Sequence, residues 1–188
     1  MRTHLLKVIL AALVLSLPGL AQAEPSAFGD GSITDSSVHH RQSDLSLLAW
    51  LPWYYGFGFG AQVRFEIPIV PDGFIPSIND EFSIEPSFGL AYSSYGVYGG
   101  YNYGITDVTP AIYGIWSFWF SRAFRAYGGL GLGYNVGIYA NNNAYGNIGA
   151  SFFYWDPCVG LHYKLSDNIG LRAEAGAQGL KGGLAIYF

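Results

Sequence analysis

Charge and cysteine are what this 188-residue chain has least of: Asp, Glu, Lys and Arg together make up 12% of it, and Cys158 is the single cysteine. One cysteine excludes an internal disulfide, and a lone Cys within an alternating segment reads as a small buried side chain. Basic residues are scarcer than acidic ones, nine against thirteen, which argues against a nucleic-acid partner, since that requires a basic surface. Beyond the first twenty residues there is no continuous apolar stretch, so no helical membrane span is expected in the body of the chain. Metal-ligand patterns are also missing. The adjacent His39 and His40 have no Cys or carboxylate at ligand spacing and read as solvent-exposed residues, with no metal expected.

The one apolar run is N-terminal. Arg2 and Lys7 precede Val8–Leu17, and Ala21-Gln22-Ala23 forms a small-residue cleavage site before Glu24. That pattern is a secretory signal peptide, residues 1–23. The run falls short of the ~18–20 residues of a membrane span, and Pro18 and Gly19 break it. Cleavage leaves seven basic and thirteen acidic side chains, a net charge of −6. Residues 24–43, polar and without periodicity, are expected to be a flexible periplasmic tail.

What the rest contains is glycine, aromatics and alternation. Leu180, Gly182, Leu184, Ile186 and Phe188 share one face of a final segment, and Lys181, Gly183, Ala185 and Tyr187 the other. In 54–67 an apolar face (Phe57, Phe59, Val63, Phe65, Ile67) alternates with Gly, Gln62, Arg64 and Glu66. Period two means strand. The same pattern predicts strands over 81–92, 108–120, 124–140, 152–165 (with an irregularity at Asp156-Pro157) and 169–177, while 93–107 reads as a Tyr/Gly-rich loop. Turn signals stand between them at Pro71-Asp72-Gly73, Ser121-Arg122-Ala123, Asn141–Asn143 and Ser166-Asp167-Asn168.

Seven strands are clear, and Asp44–Trp50 is a weak eighth. Parity favours it, because bacterial single-chain outer-membrane barrels have even strand numbers, short periplasmic turns and longer outer loops. Outward aromatics collect in two belts, Phe65, Phe82, Phe118, Phe120, Phe124, Tyr163 and Phe188 near one end and Trp53, Tyr55, Tyr92 and Trp155 near the other. Aromatic rings favour the headgroup level of a bilayer. No charge faces outward within a span, where Lys or Arg at the midplane would cost about 2–4 kcal/mol. The fold class read from this pattern is all-β, an antiparallel up-and-down transmembrane barrel of eight strands over residues 44–188, with the lipid bilayer as its first partner.

The C-terminal Phe188, with Ile186, Leu184 and Leu180 at alternating positions before it, resembles the signal read by the barrel assembly machinery, and the mature chain resembles the small eight-stranded OmpA-like barrels. The resemblance implies a multi-pass protein of the bacterial outer membrane.

Inward charges are Arg64, Arg125, Lys164, Arg172 and Lys181 against Glu66, Glu81, Glu85, Asp156 and Glu174. An eight-stranded barrel is only just wide enough for side chains, so such charges must pair or neutralise. The expected lumen site is thus an ion-pair network of Arg64, Glu66, Glu81, Glu85, Arg125, Lys164, Arg172 and Glu174. Inward glycines above it, Gly56, Gly58, Gly60, Gly89, Gly131, Gly133 and Gly137, are either filled by Tyr113, Tyr127 and Tyr154 or leave a cavity; filling is the favoured reading. Gly129–Gly133 lies inside a strand and is no dinucleotide loop, so no cofactor is expected. His162, inward beside Lys164, reads as a hydrogen-bonded lumen residue and not as a catalytic base. The functional reading is a closed barrel that serves as an envelope structural or anchoring protein. A narrow pore for ions or very small solutes is the alternative, and an outer-membrane lipid enzyme the third, for which no motif stands.

Deleting Phe188, or replacing it with a charged residue, is expected to leave secretion intact but to lower the amount of folded barrel, since an open sheet edge cannot persist in lipid. Heat-modifiable migration of membrane fractions measures this, and equal amounts of folded protein would remove the last strand from that role.

Overall fold

The computed structural model describes residues 31–53, 57–97, 101–140 and 147–188. Eight strands close into one antiparallel barrel in sequence order: β1 (Asp44–Leu51), β2 (Phe57–Val70), β3 (Asp80–Val97), β4 (Tyr101–Trp119), β5 (Phe124–Ala140), β6 (Asn147–Lys164), β7 (Ile169–Gly176) and β8 (Gly179–Tyr187). Closure is made by β8 on β1, from Asp44 opposite Tyr187 to Leu51 opposite Leu180. Each neighbour pair is a simple up-and-down connection, so no sheet edge remains to be satisfied in lipid. The weak segment 44–50 is indeed the first strand.

Alternation decides what faces where. Along β7, Ile169, Leu171, Ala173 and Ala175 are exposed, while Gly170, Arg172, Glu174 and Gly176 are buried. The polarity is that of a soluble protein turned inside out. Leu, Ile, Val and Phe side chains make the outer wall, and Arg64, Glu66, Glu81, Glu85, Arg125, Asp156, Arg172, Glu174 and Lys181 are all buried in the lumen. Water would drive this outer wall to aggregate; a hydrocarbon solvent accepts it. Asp80, at the first position of β3, keeps outward parity but is covered: the Phe74 N–H and the Trp116 indole N–H donate to its carboxylate at 3.0 and 2.8 Å.

The lower end, where β1 begins and β8 finishes, carries the connections 71–79, 120–123 and 165–168. There the expected aromatic belt forms ring contacts, Phe65 stacked on Phe188 at 5.7 Å, Phe120 beside Phe124 at 5.8 Å and Trp116 beside Phe118 at 5.2 Å. At the upper end Trp53, Tyr92 and Trp155 are exposed; Tyr55 lies outside the described residues. In the Pro71-Asp72-Gly73 turn, Gly73 has φ of 59°, and a Cβ there would sit 2.0 Å from the Asp80 carboxylate. Only glycine fits that turn.

Three readings of the sequence change. Residues 93–97 and 101–107 are not a loop, because β3 and β4 stay paired up to Val97 opposite Tyr101. The hairpin is 18 and 19 residues long, whereas about 9–11 suffice to cross a bilayer, so its upper part extends beyond the apolar layer. No irregularity occurs at Asp156-Pro157. The Pro157 carbonyl accepts from the Ala177 N–H at 3.0 Å, so its missing N–H faces the same side, just past the end of β7, and breaks no ladder bond. Finally, residues 31–43 are not a free tail. Without regular structure, they lie across the lower end, held by Asn79 N–H to Ile33 carbonyl at 2.8 Å, His39 N–H to Asp72 at 2.9 Å and Arg41 Nε to the Pro71 carbonyl at 3.0 Å.

A cysteine at Asn142, in the β5–β6 connection, is expected to react with an impermeant thiol reagent on intact cells, and one at Asp167, in the β6–β7 turn, is not. The reverse pattern would invert the orientation.

Candidate functional site: the barrel lumen

The lumen is filled in layers, each set by which inward residues meet at one height. At mid-height, Arg172 of β7 donates from both terminal nitrogens to Glu85 of β3, at 3.0 and 2.8 Å. β3 and β7 stand four places apart in a ring of eight, so this pair crosses the full width of the barrel. Arg64 of β2 forks onto Glu174 at 2.8 and 2.6 Å and reaches Glu85 at 3.3 Å. All four side chains have 0% exposure. Bidentate guanidinium–carboxylate geometry is the strong form of this contact. Tyr127 ties the pairs together, its hydroxyl donating to Glu174 at 2.8 Å and accepting from Arg172 Nε at 3.0 Å.

One layer up, Lys181 bridges Glu174, at 2.9 Å, and Asp156. The Tyr113 and Tyr154 hydroxyls donate to Asp156 at 3.0 and 3.1 Å, and the Arg64 guanidinium stacks 3.6 Å over the Tyr113 ring. Tyrosine rings account for two of the inward glycines. A Cβ at Gly131 would lie 2.4 Å from the Tyr113 ring, and one at Gly160 would lie 2.3 Å from that of Tyr127. The favoured expectation, filling in place of a cavity, holds at Gly131.

One layer down, Arg125 of β5 pairs with Glu66 of β2 and with Asp44 of β1, the latter at 3.2 Å, while the Glu81 carboxylate lies 3.6 Å away. Trp119 donates its indole N–H to Glu81 at 2.9 Å. His162 is buried here, with Nδ1 3.1 Å from an Arg125 nitrogen and 3.2 Å from the Tyr187 hydroxyl. Asp44, Glu66 and His162 converge closely enough to suggest a metal, but the Arg125 guanidinium contacts all three. A cation already fills that point.

Seven of the eight network residues expected from the sequence thus meet in one connected set, together with Asp156 and Lys181. Lys164 does not join them. It has inward parity but sits at the lower rim, half-buried, bonded to Gln42 Oε1 at 3.0 Å and lying over the Tyr187 and Trp119 rings. Asp44 and Arg41 were missed. Asp44 stands at the first residue of the weak strand. Arg41 belongs to the segment across the lower end, where it approaches Glu81 at 3.4 Å and covers Trp119. Burial lowers the pKa of the Arg41 guanidinium from its ordinary value, and the Glu81 carboxylate opposes that shift. His39 is part-buried beside Asp35, at 3.4 Å, and is not solvent-exposed as expected; His40 is exposed. Leu180, Leu184, Ile186 and Phe188 all lie on the outer wall, and the Phe188 N–H donates to the Ser43 carbonyl at 3.1 Å, beside the seam.

Lipid-facing wall, filled and charged interior, and closed antiparallel ring define an eight-stranded barrel of the outer-membrane type. Among solved structures, the chain is similar to Ail, the attachment invasion locus protein of Yersinia pestis. The match is 14% identical with a TM-score of 0.46, covering 78% of this chain and 95% of that one. A second structure of Ail, in complex with the heparin analogue sucrose octasulfate, matches at 14% identity and a TM-score of 0.43, covering 78% of this chain and 96% of that one. No protein-family model and no curated protein matches the chain.

Breaking one side of a buried pair costs about 3–5 kcal/mol, more than removing both sides. Arg172→Ala is therefore expected to lose that much stability, and Arg172→Ala with Glu85→Ala to recover part of it. Thermal or urea unfolding of the refolded barrel measures both. Equal stability of the single and double variants would show that Glu85 is not the partner that matters.

Proposed function

We propose that the chain is an integral outer-membrane barrel with a closed, ion-paired lumen, acting as an envelope structural or anchoring protein. The observation that carries this reading is the Arg172–Glu85 pair, which bridges opposite strands at 0% exposure. Arg125 and Asp44, on β5 and β1, span the lumen in the same way one layer lower. A conducting path would favour rings of one sign around an open axis; here opposite signs meet across the axis and occupy it. The closed lumen leaves the wall, the loops and the lower face to do the work, which suits a protein that holds something else in place. The lower end faces the periplasm in this reading, supported by the N-terminal secretory signal, by β1 beginning and β8 finishing there, and by the long β3–β4 hairpin that extends beyond the apolar layer at the other end. Insertion proceeds through the barrel assembly machinery, with Leu180, Leu184, Ile186 and Phe188 as the recognised strand. No catalytic role is part of the proposal.

Planar-bilayer recordings of refolded protein at neutral pH are expected to show no steady conductance in the wild type and leak currents in Arg172→Ala. Steady wild-type conductance, with Arg172→Ala changing only charge selectivity, would favour the narrow pore.

A further inference from the structure

Between the segment 31–42 and the lower rim of the barrel lies a cavity of about 410 Å³, a size typical of small-molecule sites. Among the described residues that line it, Arg41, Arg122, Arg125 and Lys164 carry positive charge and Asp35 is the one carboxylate. That carboxylate is engaged within its own turn, accepting from the Gly31 and Ser37 N–H groups at 2.9 and 3.1 Å. Hydrogen bonds from the side chain and backbone of Ser37 hold its pKa well below the usual carboxylate range.

Of the cations, Arg41 and Arg125 also face carboxylates on the lumen side, Glu81 for the first and Glu66 and Asp44 for the second. Among the described residues Lys164 has no carboxylate within 4.0 Å, Glu81 and Asp167 acting on it only from farther away; its contacts are Gln42 and the Trp119 and Tyr187 rings. The Arg125 Nε–H is buried with no hydrogen-bond partner. A part-buried ammonium without a carboxylate at ion-pair distance and an unsatisfied guanidinium N–H are both costly features in a folded protein. Lys164 and Arg125 both line the cavity, the Arg125 Nε itself being buried.

We propose that this cavity is an anion site that takes a phosphate group. The lining cations come from the 31–42 segment, the β4–β5 turn, β5 and β6, so positive charge surrounds the space from several directions. That suits a tetrahedral oxyanion with acceptors on every side better than a planar carboxylate, and the guanidinium forks match its oxygens. The volume leaves room for a small organic body beside the phosphate, against Trp119 and Tyr187. Two sources share this chemistry, a free phosphomonoester and the headgroup of a phospholipid at the level of the rim.

The test uses protein refolded in octyl glucoside, which carries no phosphate. Glycerol 3-phosphate and a short-chain phosphatidylglycerol are titrated in, with glycerol as the phosphate-free control. Phosphorus chemical shift and tryptophan fluorescence are read, Trp119 being in the cavity wall. A saturable response to at least one phosphate probe is expected, weakened at least about tenfold in Lys164→Gln, as loss of a charge-assisted hydrogen bond implies, and kept in Lys164→Arg. The probe that saturates identifies the source. No saturable response to either probe, or equal affinity in wild type and Lys164→Gln, overturns the proposal. Lys164 stands outside the lumen network, and conductance is not read, so this result and that of the closed-lumen test are independent.

Discussion

Charge removed from water on both sides is the constraint on which this barrel depends. The outer wall faces hydrocarbon, and the lumen is too narrow to hydrate the side chains within it. Arg64, Arg172, Glu85 and Glu174 are fully buried, so each is tolerable only if the others are in place. This sets the register as well as the filling. A slip of one residue in any strand would turn its arginines and glutamates outward into lipid and its leucines inward onto charge. The network contributes little to stability beyond what well-packed apolar residues could supply, but it makes the wrong registers very unfavourable.

The aromatic residues complete that logic. Tyr113, Tyr127 and Tyr154 each present a ring to fill space and a hydroxyl to satisfy a carboxylate, at 2.8 to 3.1 Å. Glycine on the opposing strand is what lets the rings lie across the lumen, as at Gly131 and Gly160. Glycine richness, which weakens a strand taken alone, is here the complement of the tyrosines. At these two positions the compositional excesses of the sequence form one packing device.

Much of this was legible in the residues. Period two with an apolar outer face gave strands, parity gave their number, and inward position alone identified seven of the eight network members. Height was not legible. Lys164 alternates inward like Arg172, but it lies at the last residue of β6 and meets the rim in place of the network. Partners were not legible either, since the pairing of Arg125 with Glu66, three strands away, follows from how the closed sheet is staggered and from nothing local. The upper part of the β3–β4 hairpin was misread because its outward face is no longer apolar: Ser94, Gly104 and Thr106 stand where Leu90 and Val108 stand lower down. With no lipid to face, the amphipathic signal that marks a strand vanishes.

The segment 31–43 was misread for the opposite reason. Its own sequence has no periodicity, and beyond the local turn at Asp35 its order comes from what it meets. Among the described residues the lumen holds seven buried carboxylates, Asp44, Glu66, Glu81, Glu85, Asp107, Asp156 and Glu174, against four buried cations, Arg64, Arg125, Arg172 and Lys181. Glu81 is the member nearest the lower rim that no lumen cation approaches closely, with Arg125 at 3.6 Å. Arg41 comes to it from outside the barrel at 3.4 Å and lies over Trp119, which itself donates to Glu81. The segment therefore closes the lower end because the lumen leaves a carboxylate there for it to pair with. Strand filling and end cap are one electrostatic arrangement, and the lower face that any periplasmic partner would meet is built by both.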